Sequence, residues 1–305
     1  MNWRENLKIS IRQAEPLKNH TTFKIGGRAK FFIEPKDANG LRLSLAFAKK
    51  NRLPVFVIGG GSNLLVSDKG INGVILKLSS PVFKKLSYKG SYINAGSGAW
   101  LGEIVKSAKG HGLSGIEFLA GIPGTLGGAL AMNAGVSNRI KGTNSIADLI
   151  ESVTVMDFKG KIKTLRKKAI KFGYRKSSLT KYIILSAIIK LKKADKDRIE
   201  ERIGEYVNYR KLTQDLSKPS AGCVFKNPAG DSAVRPALSA GRLIDLCGLK
   251  GKKVGDAAVS LKHANFILNL GKANCADVLK LMGVIRKKVN KEFKIDLIPE
   301  IKVWH

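Results

Sequence analysis

The chain has 305 residues, 44% of them apolar, 26% charged and 7% aromatic, enough to bury a substantial core in two or three domains. A disordered chain and a small disulfide scaffold are excluded. The 55 Lys and Arg against 23 Asp and Glu leave a net charge of +32, which points toward nucleic acid, an anionic membrane surface or anionic small molecules.

From Phe23 to about Leu191, short β-branched or aromatic runs alternate with glycine-rich turns, and strands are predicted at 30–33, 55–58, 74–76, 92–95, 153–156 and 182–189. Apolar spacing predicts helices over 37–51, with Leu41, Leu45 and Ala48 on one face, and over 99–110, with Leu101, Ile104, Val105 and Ala108 on one face. A charged amphipathic stretch, 195–212, repeats Ile199, Ile203 and Val207 at four-residue spacing and reads as a helix joining two domains. Beyond it, helices are predicted over 240–247 and 277–289, the second with Val278, Leu281, Ile285 and Val289 on one face. Asn274, three residues before Asp277, has the pattern of its N-terminal cap. The class is α+β, with no internal repeat and no low-complexity segment.

The charge has a plain reading. Lys outnumbers Arg 41 to 14, whereas phosphate and base recognition leans on the planar fork of Arg, so most of the lysines read as solvated surface. No zinc-finger spacing, RNP-like aromatic motif or basic arm is present, although a basic nucleic-acid-binding protein stays open on charge alone. Cys223, Cys247 and Cys275 form no CxxC pair and are odd in number, which fits a reducing compartment. Met1-Asn2-Trp3-Arg4-Glu5 lacks the apolar stretch of a signal peptide, and the longest apolar run, 182–189, is far short of a membrane span. A cytoplasmic monomer with neither nucleic acid nor membrane as partner is expected. His20, His111, His263 and His305 show no metal-ligand spacing, so no metal is expected.

Two segments carry chemistry. The strand at 55–58 runs straight into Gly59-Gly60-Gly61-Ser62-Asn63-Leu64, where backbone N–H groups can approach one anion unobstructed. It is neither a Rossmann G-x-G-x-x-G nor a Walker A motif, and an ordinary tight turn is the competing reading. The second segment, 110–135, holds eight glycines, among them Gly121-Ile122-Pro123-Gly124-Thr125-Leu126-Gly127-Gly128, and then Asn133. It reads as a small-residue loop with amides near Gly124 and Thr125 able to face a second phosphate. Two cradles suggest a cofactor bridged by a diphosphate.

Asn19-His20-Thr21-Thr22-Phe23-Lys24-Ile25-Gly26-Gly27, the Gly59 to Asn63 turn, Gly121 to Gly135, Phe172-Gly173-Tyr174-Arg175-Lys176-Ser177, Pro219 to Pro228 around Ala221-Gly222-Cys223-Val224-Phe225-Lys226-Asn227, and Ile298-Pro299-Glu300 together resemble the UDP-N-acetylenolpyruvoylglucosamine reductase family. The resemblance covers nearly the whole chain in order and, with no long insertion after Arg175, is to the shorter subclass. It implies an FAD-binding domain of the vanillyl-alcohol oxidase type over 1–192, in two α+β subdomains split near 80, then a linker helix over 193–212 and a smaller α+β substrate-binding domain over 213–305. The implied activity is an NADPH-dependent, FAD-dependent oxidoreductase of peptidoglycan precursor synthesis. Hydride passes from NADPH to FAD and from flavin N5 to C3 of the enolpyruvyl group of UDP-N-acetylglucosamine enolpyruvate, with protonation at C2 giving UDP-N-acetylmuramate. Another FAD-dependent oxidase or dehydrogenase on the same fold is the alternative.

By the same resemblance Arg175 grips the substrate carboxylate, Glu300 helps to stabilise the intermediate, and the position of the proton donor is Cys223, where many members have serine. An ordinary thiol, with a pKa of about 8.5, is mostly protonated at neutral pH and is a better acid than a hydroxyl. Ser220 or a water are alternative donors. Gly59, Gly60, Gly61, Ser62, Asn63, Leu64, Gly121, Ile122, Pro123, Gly124, Thr125, Gly127, Gly128 and Asn133 are expected at FAD. Tyr174, Arg210, Lys211, Lys226 and Asn227 are expected at the substrate. The family binds FAD non-covalently, so His20 reads as part of a structural turn.

Overall fold

Asp37 starts the first helix, α1 (Ala38–Lys50), by accepting the Gly40 N–H at 2.8 Å in the computed structural model, which describes residues 9–138, 142–228 and 238–305. The leading Met1 to Glu5 lie outside the described residues. Leu41, Leu45 and Ala48 recur on one face of α1 and are buried, as their spacing predicts. They pack on a four-stranded sheet in the order Ile9–Pro16, Arg28–Pro35, Ile71–Lys77, Val55–Ile58, whose last two strands are parallel. The chain divides into two compact units; the first holds 31–60 and 72–210, with the start of the chain, and the second holds 14–30, 61–71 and 211–305.

The larger core of the first unit lies against a five-stranded antiparallel sheet, ordered Ile162–Arg166, Ile150–Met156, Ile183–Lys190, Tyr92–Gly96, Leu86–Lys89. Helix α2 (Leu101–Gly110) buries Leu101, Ile104, Val105 and Ala108 against it, each large aliphatic contributing about 1.5–3 kcal/mol of transfer free energy. The expected loop after Pro123 differs from the structure. Leu126–Met132 is a helix, α3, although Gly127 and Gly128 each cost about 1 kcal/mol of helix propensity. Burial of Leu126, Ala129 and Leu130 in the same core offsets that cost, and Asn133 ends the helix in the left-handed region at φ 44°. Helix α4 (Lys196–Thr213) follows, burying Ile199 fully and packing Ile203 and Val207 at the margin of the core.

In the second unit, strands Lys253–Val254, Ala257–Val259 and Ile267–Asn269 form an antiparallel sheet with helices α5 (Ala240–Leu246) and α6 (Cys275–Phe293). α6 is longer than predicted. Asn274 caps it by accepting the Asp277 N–H at 2.8 Å, and the Asp68 carboxylate takes the N–H groups of Cys275 and Ala276, favourable negative charge at a helix start. Lys302–Trp304 pairs in parallel with Leu64–Val66. No helix of the described residues is long and apolar enough to cross a membrane.

Candidate functional site

The turn leaving Val55–Ile58 places Gly59 and Gly60 against the second glycine segment in the first unit. A Cβ on Gly59 would lie 2.5 Å from Thr125 Oγ1, and one on Gly60 would lie 2.9 Å from the Gly124 Cα and 3.1 Å from the Trp100 ring. The two cradles read separately in the sequence therefore meet. Their backbone is pinned: Leu101 N–H donates to the Gly124 carbonyl at 3.0 Å, Leu126 N–H to Ala99 at 2.9 Å and Gly127 N–H to Ser97 at 2.8 Å. A Cβ on Gly128 would meet nothing nearer than Thr125 Oγ1 at 3.8 Å. Beside this surface Ser97 is 4% exposed, and among the described residues its hydroxyl has no hydrogen-bond partner. A glycine-lined surface fixed by main-chain bonds, with a buried hydroxyl to spare, fits a dinucleotide cofactor.

Arg175 stands at the tip of a hairpin, Phe172–Gly173 with Lys176–Ser177, in a left-handed conformation (φ 52°) that is costly for a residue with a Cβ and recurs at functional positions. Its Nη1 donates to the Gly135 carbonyl at 3.2 Å, and its guanidinium lies 5.5 Å from the ring centre of the exposed Tyr174. Asn133 holds the hairpin, its Nδ2 donating to the Gly173 carbonyl at 3.1 Å while its Oδ1 accepts the Ala147 N–H at 3.2 Å. Arg210, near the end of α4, runs its stem beside Gly121, where a Cβ would lie 3.1 Å from Arg210 Cδ.

In the second unit Gly61, at φ 66°, approaches His20 so closely that a Cβ would sit 2.0 Å from that carbonyl oxygen. His20 ends a short helical turn, with Nε2 2.8 Å from Glu15 Oε1. Thr22 ties two motifs together: its N–H donates to the Gly61 carbonyl at 3.2 Å and its hydroxyl to the Ser220 carbonyl at 2.7 Å. Ser62 is half-buried, and Leu64 is buried in register with Lys302. Asn63 Nδ2 donates to the Glu300 carbonyl at 3.2 Å, and Lys302 N–H returns to the Asn63 carbonyl at 2.9 Å.

Cys223 and Glu300 lie on adjacent extended segments. Glu300 N–H donates to the Val224 carbonyl at 2.8 Å, and Lys226 N–H donates to Ile298 at 2.9 Å. On the other side Val224 N–H donates to the Asn265 carbonyl at 2.9 Å. The buried Asn265 side chain accepts the Phe225 N–H at 3.0 Å and donates to the Phe225 carbonyl at 2.8 Å. Cys223 is half-exposed, and a Cβ on neighbouring Gly222 would meet nothing within 4 Å, so open space flanks it. Asn227 Oδ1 accepts the Ala240 N–H at 3.0 Å at the start of α5, and the Lys211 carbonyl accepts from Lys262 Nζ. Ser97 and Asn265 are absent from the sequence reading: each is a single polar residue outside any motif.

An α+β framework carrying paired glycine turns goes with a flavin-binding class of protein, and residues 29–166 match the family model described as FAD binding domain. Residues 214–304 match the model described as UDP-N-acetylenolpyruvoylglucosamine reductase, C-terminal domain. UDP-N-acetylenolpyruvoylglucosamine reductase 2 of Symbiobacterium thermophilum is 42% identical, over 96% of this chain and 92% of its own length. The reductase of Desulforamulus reducens is likewise 42% identical, over 97% and 94%. The crystal structure of the Thermus caldophilus UDP-N-acetylenolpyruvylglucosamine reductase superposes with a TM-score of 0.80 at 37% identity, covering 98% of this chain and 99% of that one. The chain belongs to the UDP-N-acetylenolpyruvoylglucosamine reductase family.

Proposed function

We propose that the protein is an NADPH-dependent flavoenzyme of peptidoglycan precursor synthesis, reducing the enolpyruvyl group of UDP-N-acetylglucosamine enolpyruvate to give UDP-N-acetylmuramate. Likeness to reductases over nearly the whole of both chains carries this reading. Gly59 to Leu64, the Gly121 to Gly128 turns and Asn133 are assigned to FAD. The domain limits follow the functions: 1–192 for the cofactor, 193–212 as a linker helix and 213–305 for the substrate. We place the enzyme in the cytoplasm as a monomer.

Bound FAD supplies a hydride, drawn from NADPH, to the enolpyruvyl C3. The Arg175 guanidinium takes the substrate carboxylate bidentately, so the charge that develops there as an aci-carboxylate is met by a fixed cation. Asn133 serves this step by holding the hairpin that aims Arg175. Cys223 gives its Sγ proton to C2, completing addition of one hydride and one proton across the double bond. Glu300 helps to stabilise the same intermediate. Tyr174, Arg210, Lys211, Lys226 and Asn227 are assigned to the sugar and diphosphate.

The test is an anaerobic two-step titration of the yellow protein. NADPH bleaches the flavin and the enolpyruvyl nucleotide restores its colour; a flavin that bleaches but is not restored overturns the substrate assignment. In the same titration Arg175→Lys keeps its flavin and its bleaching and restores colour at least 100-fold more slowly, a loss on the scale of one oriented charge contact in a transition state.

A further inference from the structure

The buried hydroxyl beside the glycine cradle has a use that the reading above does not give it. We propose that Ser97 is a flavin ligand, its hydroxyl hydrogen-bonding directly to bound FAD. The main chain of Ser97 is fully engaged, its N–H donating to the Leu185 carbonyl at 2.9 Å and its carbonyl accepting the Gly127 N–H at 2.8 Å. It has no freedom to shift. A Cβ on Gly96 would lie 2.1 Å from the Phe83 carbonyl oxygen and one on Gly98 1.9 Å from that of Leu78, so both flanking residues are packed backbone to backbone. The side chain thus holds a set position against Gly127, where a Cβ would come within 3.1 Å of Ser97 Cβ.

At that position the residue is 4% exposed and its Oγ has no partner among the described residues. A buried hydroxyl without a partner is penalised by lost hydration, and alanine would fill the same space without the penalty. Through Gly127 the residue adjoins the surface made by Gly59, Gly60 and Gly124 to Gly128, where room is left at Gly128, a Cβ there meeting nothing nearer than Thr125 Oγ1 at 3.8 Å. A ligand with phosphate, ribityl and ring oxygens laid on that surface supplies the missing acceptor. The assignment rests on FAD binding at this cradle and not on the identity of the substrate.

The experiment compares wild type with Ser97→Ala, a change that removes one oxygen and no packing volume. The full chain is purified with its flavin, and FAD release on dilution is followed by flavin fluorescence. The expected result is a dissociation constant about tenfold higher, as for one lost hydrogen bond, together with a lower temperature of flavin release. The melting temperature of the flavin-stripped full chain is unchanged or higher, since no protein contact is lost. An unchanged dissociation constant overturns the assignment. So does an equal fall in melting temperature with and without flavin, which would mark a partner within the protein. A wild-type chain that fails to hold FAD would overturn the cofactor reading itself, a different outcome from a variant that matches a flavin-loaded wild type.

Discussion

The three thiols show how much position alters one functional group. Cys275, 3% exposed at the start of α6, is pushed up to about 11 by burial and then by the negative charge of Asp68. Cys247, at the end of α5, is raised by burial, with the Glu292 charge adding to it. Cys223 is half-exposed beside the open space at Gly222. Because only the thiolate is alkylated, iodoacetamide at mildly alkaline pH should modify Cys223 first, Cys247 slowly and Cys275 not at all in the folded protein, as read by peptide mapping. Bound enolpyruvyl nucleotide should protect Cys223. Alkylation of Cys223 that leaves flavin reoxidation by the nucleotide intact would remove it as proton donor.

The turn from Ser260 to Phe266 is the element on which the Cys223 segment leans. Ser260 Oγ accepts the N–H groups of Lys262 at 3.0 Å and His263 at 3.2 Å and donates to Asp215 at 2.9 Å. His263 Nδ1 accepts the Asn265 N–H at 3.2 Å, which requires that nitrogen to be unprotonated. Burial, with the charge of Lys250 adding, holds the pKa of His263 below its ordinary value. The unfolded chain therefore binds the proton more readily, and this stabilisation is complete above about pH 6.5 and is lost as pH falls through the lowered value. Thermal melts between pH 7.5 and 5 should show the melting temperature falling below about pH 6.5, and His263→Gln should flatten that slope; an unchanged slope would remove His263 as its origin. Asp215 acts in a lower range, its pKa held down first by the Ser217 hydroxyl, so its stabilisation is lost only as pH falls through carboxylate values. Elements of this kind divide by legibility. The strand at Ile183–Lys190 and the capped helix α6 were readable because β-branched runs and apolar spacing report burial directly. Helix α3 was hidden because Gly127 and Gly128 argue against a helix and only tertiary burial outweighs them. Ser97 and Asn265 were hidden for another reason: the residues they meet, Leu185 and Gly127 for the main chain of Ser97 and Phe225 for the side chain of Asn265, lie far off in the chain, and a lone Ser or Asn has no period to betray it.

Over the whole molecule, the anionic cofactor and substrates account for few of the basic groups behind the net charge of +32. Between 159 and 193 there are thirteen Lys and Arg and no Asp or Glu, and within that span Ile162–Arg166 is the edge strand of the five-stranded sheet. Lys163 and Arg166 on an exposed edge oppose pairing with another sheet, a use of charge that needs no ligand. Self-repulsion at this density predicts that raising NaCl from about 20 to about 200 mM, which shortens the screening length below the spacing of surface charges, raises the melting temperature by a few degrees. A fall would mean that attractive ion pairs outweigh the repulsion. The parallel pairing of Lys302–Trp304 with Leu64–Val66, and the Asn63 to Glu300 bond across 237 residues of chain, have a consequence in time. During translation at about 5–20 residues per second, the strand after the first glycine turn waits on the order of ten to fifty seconds for its partner to be made. The second unit therefore closes only once Lys302–Trp304 has been made, long after Leu64–Val66.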